Sequence, residues 1–335
     1  MDRFARTPAR PALSIWRQRV ADPVFAGLIV ALLLAVAACF PLRLVLERLV
    51  FSHIVVVDIT RSMNVEDYRR GARAVSRLEF VRQSLIGAVA DLPCGSAVGV
   101  GVFTEREPAL LFEPIETCAG FSAISAAIEQ LDWRMAWAAD SLIAAGLHNT
   151  LDLLGRGDAD VIFVTDGHEA PPLNPRYCPD FSDLRGKVRG LIVGVGGLSL
   201  SPIPKYDESG RRSGVYGEDE VPQRSSFGLS ELPPEQIEGY HARNAPFGSE
   251  RAGGTEHLSQ LKEGYLRQLA EAAGLGYHRL ESPEGLGRAL TAPALARRQR
   301  IATDVRWIPA ALALAVLMAV YLRVLLPRPG FSTSN

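Results

Sequence analysis

His53-Ile54-Val55-Val56-Val57-Asp58-Ile59-Thr60-Arg61-Ser62-Met63 is the stretch on which the reading of this chain turns. Its first half is a short, continuous, β-branched run, the pattern of a strand covered on both faces. Directly after it come a carboxylate and two hydroxyls at alternate positions, Asp58, Thr60 and Ser62. Three such oxygens on one loop can converge on a hard cation, and magnesium, manganese and calcium favour all-oxygen sites. The same residues would also serve an ordinary strand-to-helix loop with Ser62 as a helix N-cap. The stretch alone leaves both readings open.

The surrounding sequence supplies the context. Leu78–Leu92 carries apolar residues at helical spacing, Ala97–Phe103 (AVGVGVF) is strand-like, and Ala109–Phe112 reads as a further short strand. Phe121–Leu131 and Ser141–Leu154 read as helices, and Leu191–Val195 (LIVGV) as another buried strand. Between them Val161–Val164 (VIFV) ends at Thr165-Asp166-Gly167. Strands alternating with helices predict an α/β fold, a doubly wound and mostly parallel sheet flanked by helices. Such sheets bind ligands at the carboxyl ends of strands, where the strand order switches. If the strands ending at Asp58 and Asp166 are neighbours, two carboxylates meet there, and they require a cation or a proton between them. Residues 198–257 break the alternation; rich in Pro, Gly and charge, they read as an insertion with a hairpin around Tyr206–Tyr216. Leu258–Ala273 reads as an amphipathic helix stopped by Gly274-Leu275-Gly276, and Tyr277–Leu280 as a last strand.

Two apolar stretches bracket this region in a chain of 335 residues with a formal net charge of −1. That balance gives no whole-chain reason to expect nucleic acid as a partner. The apolar stretches, within 23–42 and 307–326, predict two transmembrane helices, with Arg323 near enough to an end to snorkel. Residues 1–22 then form a cytoplasmic leader with five arginines (Arg3, Arg6, Arg10, Arg17, Arg19), and 327–335 a short tail. The leader arginines favour a domain facing the periplasm from the inner membrane; Arg297, Arg298, Arg300 and Arg306 pull the other way. A cleaved signal is the alternative for the first stretch, through Ala35-Val36-Ala37 or a lipoprotein box ending at Cys39. Cys94 and Cys118 could close a disulfide or remain thiols beside Cys178, and no pair has zinc-ligand spacing.

Asp58-x-Thr60-x-Ser62 together with Thr165-Asp166-Gly167 resembles the metal-ion-dependent adhesion site of von Willebrand factor A domains, over roughly residues 50–290. The resemblance implies a divalent cation, magnesium foremost with calcium or manganese as variants. Asp58, Thr60 and Ser62 would be ligands from the first loop, and Asp166 would act directly or through water. The family's second loop usually offers Gly-Thr; here Ala139-Asp140-Ser141 stands instead, so Ser141 would replace the Thr and Asp140 would add negative charge. Asp140-Ser141 is otherwise a plain helix N-cap. The shell would be completed by an Asp or Glu of a client protein.

A narrower resemblance lies in DITRSMNVEDY (58–68), LDWRMAWAADS (131–141), TDGHEAPP (165–172) and YLRQLAEAAGLGYHRL (265–280). These segments are similar to bacterial membrane-bound A-domain proteins associated with MoxR-type ATPases. They are most similar to accessory proteins that assist assembly or calcium loading of a periplasmic methanol dehydrogenase. That implies partner contacts by Trp133, Arg134, Trp137, His168 and Glu169; Trp133 and Trp137, four apart, could equally be core residues. An aerotolerance-type membrane protein that assembles with other A-domain chains would carry nearly the same features. An enzyme is disfavoured, since the six histidines form no H-E-x-x-H cluster and neither G-x-S-x-G nor a Walker loop is present.

Overall fold

The computed structural model describes residues 22–155, 157–173, 178–207, 209–221 and 254–325. The chain forms two compact units, one spanning 49–298 and the other made of 1–48 and 299–335. The predicted leader and C-terminal tail, and residues 222–253 of the predicted insertion, lie outside the described residues.

The larger unit is built on a six-stranded sheet. Its strands are β1 (Ser52–Asp58), β2 (Ala97–Thr104), β3 (Glu107–Glu116), β4 (Asp160–Thr165), β5 (Gly190–Gly194) and β6 (Gly276–Arg279). In space they run β6-β5-β4-β1-β2-β3. All neighbours pair in parallel except β3, which folds back antiparallel on β2. In the centre Val55 is in register with Val100 on one side and Ile162 on the other.

The pleat of β1 divides its apolar side chains between two cores. Val55 and Val57 join Leu85 and Ile128, contributed by the helices α1 (Arg77–Ala90) and α2 (Thr117–Glu129), and Leu286 of a C-terminal helix Pro283–Leu290. Ile54 and Val56 join Leu147 and Leu266, from α3 (Ile143–Leu154) and α4 (Glu263–Ala273) on the opposite face. The doubly wound arrangement expected from the alternation is therefore present. Packing of α3 is close: a Cβ at Gly146 would stand 1.8 Å from the Phe103 ring, so only glycine fits there.

Some elements differ from the sequence expectation. β3 is longer than the four residues expected. The helix expected over Leu258–Ala273 begins only at Glu263, because Leu258–Ser259 pairs as a short strand with Ser201–Pro202. The hairpin in the insertion is found as Pro204–Tyr206 against Arg212–Val215. Cys94 and Cys118 are joined in a disulfide, and Cys178 is an exposed thiol.

The smaller unit contains two apolar helices, Pro23–Ala38 and Trp307–Leu325, and most of a two-stranded ribbon formed by Arg43–Val50 and Arg297–Asp304. Trp307–Leu325, with 19 residues, is long and apolar enough to cross a membrane. Pro23–Ala38 is not, which corrects the expectation of two transmembrane helices. The expected span ran to residue 42, but the helix ends at Ala38, and its 16 residues rise only about 24 Å against a hydrocarbon core of about 30 Å. Pro41, which cannot continue a helix, follows three residues later.

The disulfide closes a loop across a sequence separation of 24 residues, which predicts a stabilisation of about 3 kcal/mol. Replacing both Cys94 and Cys118 by Ser should lower the unfolding free energy by that amount in a denaturant titration. Reductant added to the unmodified protein should produce the same loss.

Candidate metal and partner site

β1 and β4 lie side by side at the centre of the sheet, and the connections leave them in opposite directions. This is the switch in strand order, and the loops after the two strands meet there. Asp58 closes β1 and is fully buried. One of its carboxylate oxygens, Oδ1, accepts the Thr60 N–H at 2.8 Å, and Oδ2 accepts the Thr165 hydroxyl at 2.6 Å. A single 3-10 turn, Arg61–Asn64, begins after Thr60 and turns the chain so that the Thr60 and Ser62 hydroxyl oxygens stand 3.3 Å apart.

Ser141 comes to the same place from the loop before α3. Its N–H donates to the Ala170 carbonyl at 2.7 Å, and its carbonyl accepts the Ala170 N–H at 2.8 Å. Glu105 holds the loop from the other side, through Asp140 O and Leu142 N. The Ser141 backbone is thus pinned twice, yet its buried hydroxyl has no hydrogen-bond partner. A buried hydroxyl left in this way costs free energy unless something occupies its lone pairs.

The third loop is Thr165-Asp166-Gly167. Gly167 has φ +76° and packs close to Leu266 and Lys262, where a Cβ would be both strained and crowded. Asp166 is fully buried and fully engaged. Its Oδ1 accepts the His168 N–H at 2.9 Å; its Oδ2 accepts the Ser259 hydroxyl at 2.9 Å and the Arg77 guanidinium at 2.5 Å.

Arg77 is the residue that sequence reasoning missed. It opens α1, is fully buried, and donates also to Asp67 at 2.6–3.1 Å, to the Ser259 hydroxyl at 2.7 Å and to the Ser62 carbonyl at 3.4 Å. Ser76 followed by Glu79 is a legible helix start, and Ser76 does cap the helix. Nothing local indicates that the next residue turns its charge inward. Asp67 and Ser259 were missed for the same reason.

The charges decide what this cluster can hold. Asp58, Asp67 and Asp166 bring three carboxylates, and Arg77 answers Asp67 and Asp166 directly. Asp58 is left with hydroxyl and amide donors. Burial foremost, and then the Asp166 charge, push its carboxyl up to about 7. A divalent cation suits this set. In six-fold coordination at about 2.1–2.4 Å, adjacent oxygens lie roughly 3–3.4 Å apart, and the Thr60–Ser62 separation of 3.3 Å matches. Thr60, Ser62 and Ser141 line a cavity of about 30 Å³, on the scale of an ion with a water.

Of the expected ligands Thr60, Ser62 and Ser141 line the cavity, whereas Asp58 and Asp166 are fully buried, each with both carboxylate oxygens accepting hydrogen bonds. Asp140 and His168 also line the cavity; His168 is buried, which lowers its pKa. Beside it a groove of about 300 Å³ is lined by Trp133, Arg134, Trp137, Thr60 and Arg61. Trp133 stacks on Tyr206, and Trp137 is half exposed rather than part of the core. Glu169 corrects the expectation of a partner contact. It is buried, with its two oxygens accepting the Ile143 and Ala144 N–H groups at 3.0 and 2.9 Å and the Tyr265 hydroxyl. Glu169 caps α3, where a helix N-terminus favours a negative charge.

Residues 53–168 match the von Willebrand factor type A domain family. An aerotolerance-related membrane protein from Bacteroides fragilis is similar at 14% identity, over 72% of this chain and 96% of that one, with a TM-score of 0.46. A von Willebrand factor type A protein from Catenulispora acidiphila is similar at 12% identity, over 73% and 42% of the two chains, with a TM-score of 0.40. A membrane-spanning protein from Vibrio fischeri is similar at 16% identity, over 71% and 95%, with a TM-score of 0.26. No curated protein matches the chain.

Removing one member of a buried ion pair costs about 3–5 kcal/mol, because the other charge is stranded. Arg77→Met should therefore destabilise the protein by that amount in a denaturant titration. Adding Asp166→Asn to the same chain should recover part of the loss.

Proposed function

We propose that this domain is a protein-binding module rather than an enzyme, and that it grips an acidic side chain of a client through a divalent cation. Asp58, Thr60, Ser62 and Ser141 would hold the cation, with Asp166 contributing charge from behind. The observation that carries the reading is the buried Ser141 hydroxyl, without a hydrogen-bond partner among the described residues, lining one cavity with the Thr60 and Ser62 hydroxyls. Magnesium is the first expectation, with calcium and manganese as variants. When bound, the ion supplies a Lewis-acidic position that a client carboxylate can complete.

The chain's own residues do the rest. Trp133, Trp137 and Arg134 form the floor of the neighbouring groove and would receive the client's flanking residues, with aromatics and arginine as the usual anchors of such contacts. Trp307–Leu325 would fix the domain to a membrane, and the Cys94–Cys118 disulfide suits an oxidising compartment such as the periplasm. The narrower reading makes the client a periplasmic enzyme of the methanol dehydrogenase type, assembled or loaded with calcium alongside a MoxR-type ATPase. It is supported by the resemblance of the segments quoted above.

Calorimetric titration of magnesium, calcium and manganese into the full chain in detergent tests the reading. Saturable binding is expected for the unmodified protein, weakened about a hundredfold or more by Asp58→Ala. The bound cation should also raise the melting temperature, since it binds only the folded state. Absence of saturable binding to the unmodified protein would overturn the proposal.

A further inference from the structure

Besides the metal loops, a second set of residues walls the cavity. Ile203, Tyr216 and Glu256 close it from the opposite side, and all three belong to the region inserted between β5 and α4. Glu256 lies three residues before Ser259, whose hydroxyl is bonded to Asp166. Lys262 fixes the following turn through its N–H to the Asp166 carbonyl at 2.9 Å. Three residues span at most about 10 Å, so position 256 is tethered within side-chain reach of the three loops. Its carboxylate stands 3.7 Å from the His168 imidazole, which lines the same cavity.

The donor count shows what the loops lack. A hard cation takes six or more oxygens, and its affinity rises with the number of charged ligands. At the cavity wall the three loops offer the hydroxyls of Thr60, Ser62 and Ser141 and the Asp140 carboxylate, and the buried Asp58 carboxylate accepts the Thr60 N–H. Both Asp166 oxygens already accept hydrogen bonds, as do both Asp58 oxygens, and Arg77 pairs with Asp166. A further carboxylate at the cavity wall would strengthen cation binding. The next carboxylate lining the cavity from outside the metal loops is that of Glu256.

We infer that Glu256 is an internal ligand, occupying the position a client carboxylate takes, so that the site is capped by its own chain and a client engages by displacing it. This rests on the cation reading above. The attachment of the cap is suited to displacement. Glu256 keeps about a fifth of its side chain in solvent. The hairpin part of the insertion is held to the first metal loop by surface contacts, Arg61 over the Tyr216 ring and Arg212 to Glu66 at 3.0 Å. Exposed pairs of this kind are individually weak. Specificity then follows from competition. A client must present both a carboxylate and enough groove contact at Trp133 and Trp137 to outbid a tethered group, so free carboxylates alone do not occupy the site.

The test uses the full chain in detergent, manganese as the metal probe and acetate as the carboxylate probe. Glu256→Gln is expected to weaken manganese about tenfold. Acetate should then bind the manganese-loaded variant at least about tenfold more tightly than the manganese-loaded unmodified protein. Glu256→Asp keeps the charge but draws it back by one methylene, and serves as the second variant; it too should gain acetate affinity. Melting curves in chelator, expected to coincide for all three proteins, show that the fold is kept. Unchanged manganese and acetate affinities in Glu256→Gln, with Asp58→Ala still abolishing binding, would overturn the internal ligand and leave the metal reading standing. Weaker manganese binding without any gain in acetate affinity would also overturn it. Failure of the unmodified protein to bind manganese would overturn both.

Discussion

The structure around the site depends on one buried guanidinium. Arg77 reaches Asp67, Ser62, Asp166 and Ser259, which come from three separate segments of the chain. Without it Asp166 and Asp67 would be buried carboxylates with no cation, a state that costs several kcal/mol for each charge. With it, the loop after β1, the loop after β4 and the strand before α4 are held in one arrangement. The same contact sets the charge of the cavity. Arg77 pairs with Asp166, while the fully buried Asp58 accepts hydroxyl and amide donors and has no basic partner among the described residues.

The sheet explains why these groups meet at all. β1 and β4 are adjacent because the chain fills one half of the sheet, then returns past its own centre to fill the other. Backbone N–H groups and the ends of parallel strands gather at that seam, and the loops crossing it are held by few ladder bonds of their own. Each loop is therefore braced by side chains. Thr165 holds Asp58, Glu169 caps α3, and the paired N–H and C=O of Ser141 and Ala170 stitch two loops together. Glu169 is instructive here. Next to the metal loop in sequence, it faces the other way, because the α3 N-terminus offers two unpaired N–H groups at the right distance.

Much of this was legible in the sequence, and the remainder was not, for definite reasons. β1, β4 and β5 are short β-branched runs whose burial on both faces leaves no other place for them. Asp58, Thr60, Ser62 and Asp166 follow directly, since strand ends set their positions. Arg77 was illegible because its partners lie 10, 89 and 182 residues away, and arginine at a helix start is ordinarily a solvated residue. Leu258–Ser259 read as the first turn of a helix because its apolar spacing is continuous with α4. What interrupts the helix is the Ser259 bond to Asp166, a tertiary contact that overrides local propensity. The first apolar stretch was read as a full span from its composition, whereas the helix it forms stops at Ala38, before Pro41.

The dimensions of the cavity bear on what it can do. A carboxylate held near neutral pKa in a cleft is also what an acid–base catalyst looks like, so the titration of Asp58 alone does not separate binding from catalysis. Size does. Sites that enclose a small-molecule substrate run to about 300–1,000 Å³, whereas this cavity offers about 30 Å³. It admits an ion and the tip of one side chain. Under the proposed binding role, whatever completes it would arrive on a larger scaffold and make its remaining contacts outside, on the groove of Trp133 and Trp137, which has about 300 Å³. In that role, a partner offering one carboxylate and an external aromatic contact would be a protein surface, and the groove residues would select it.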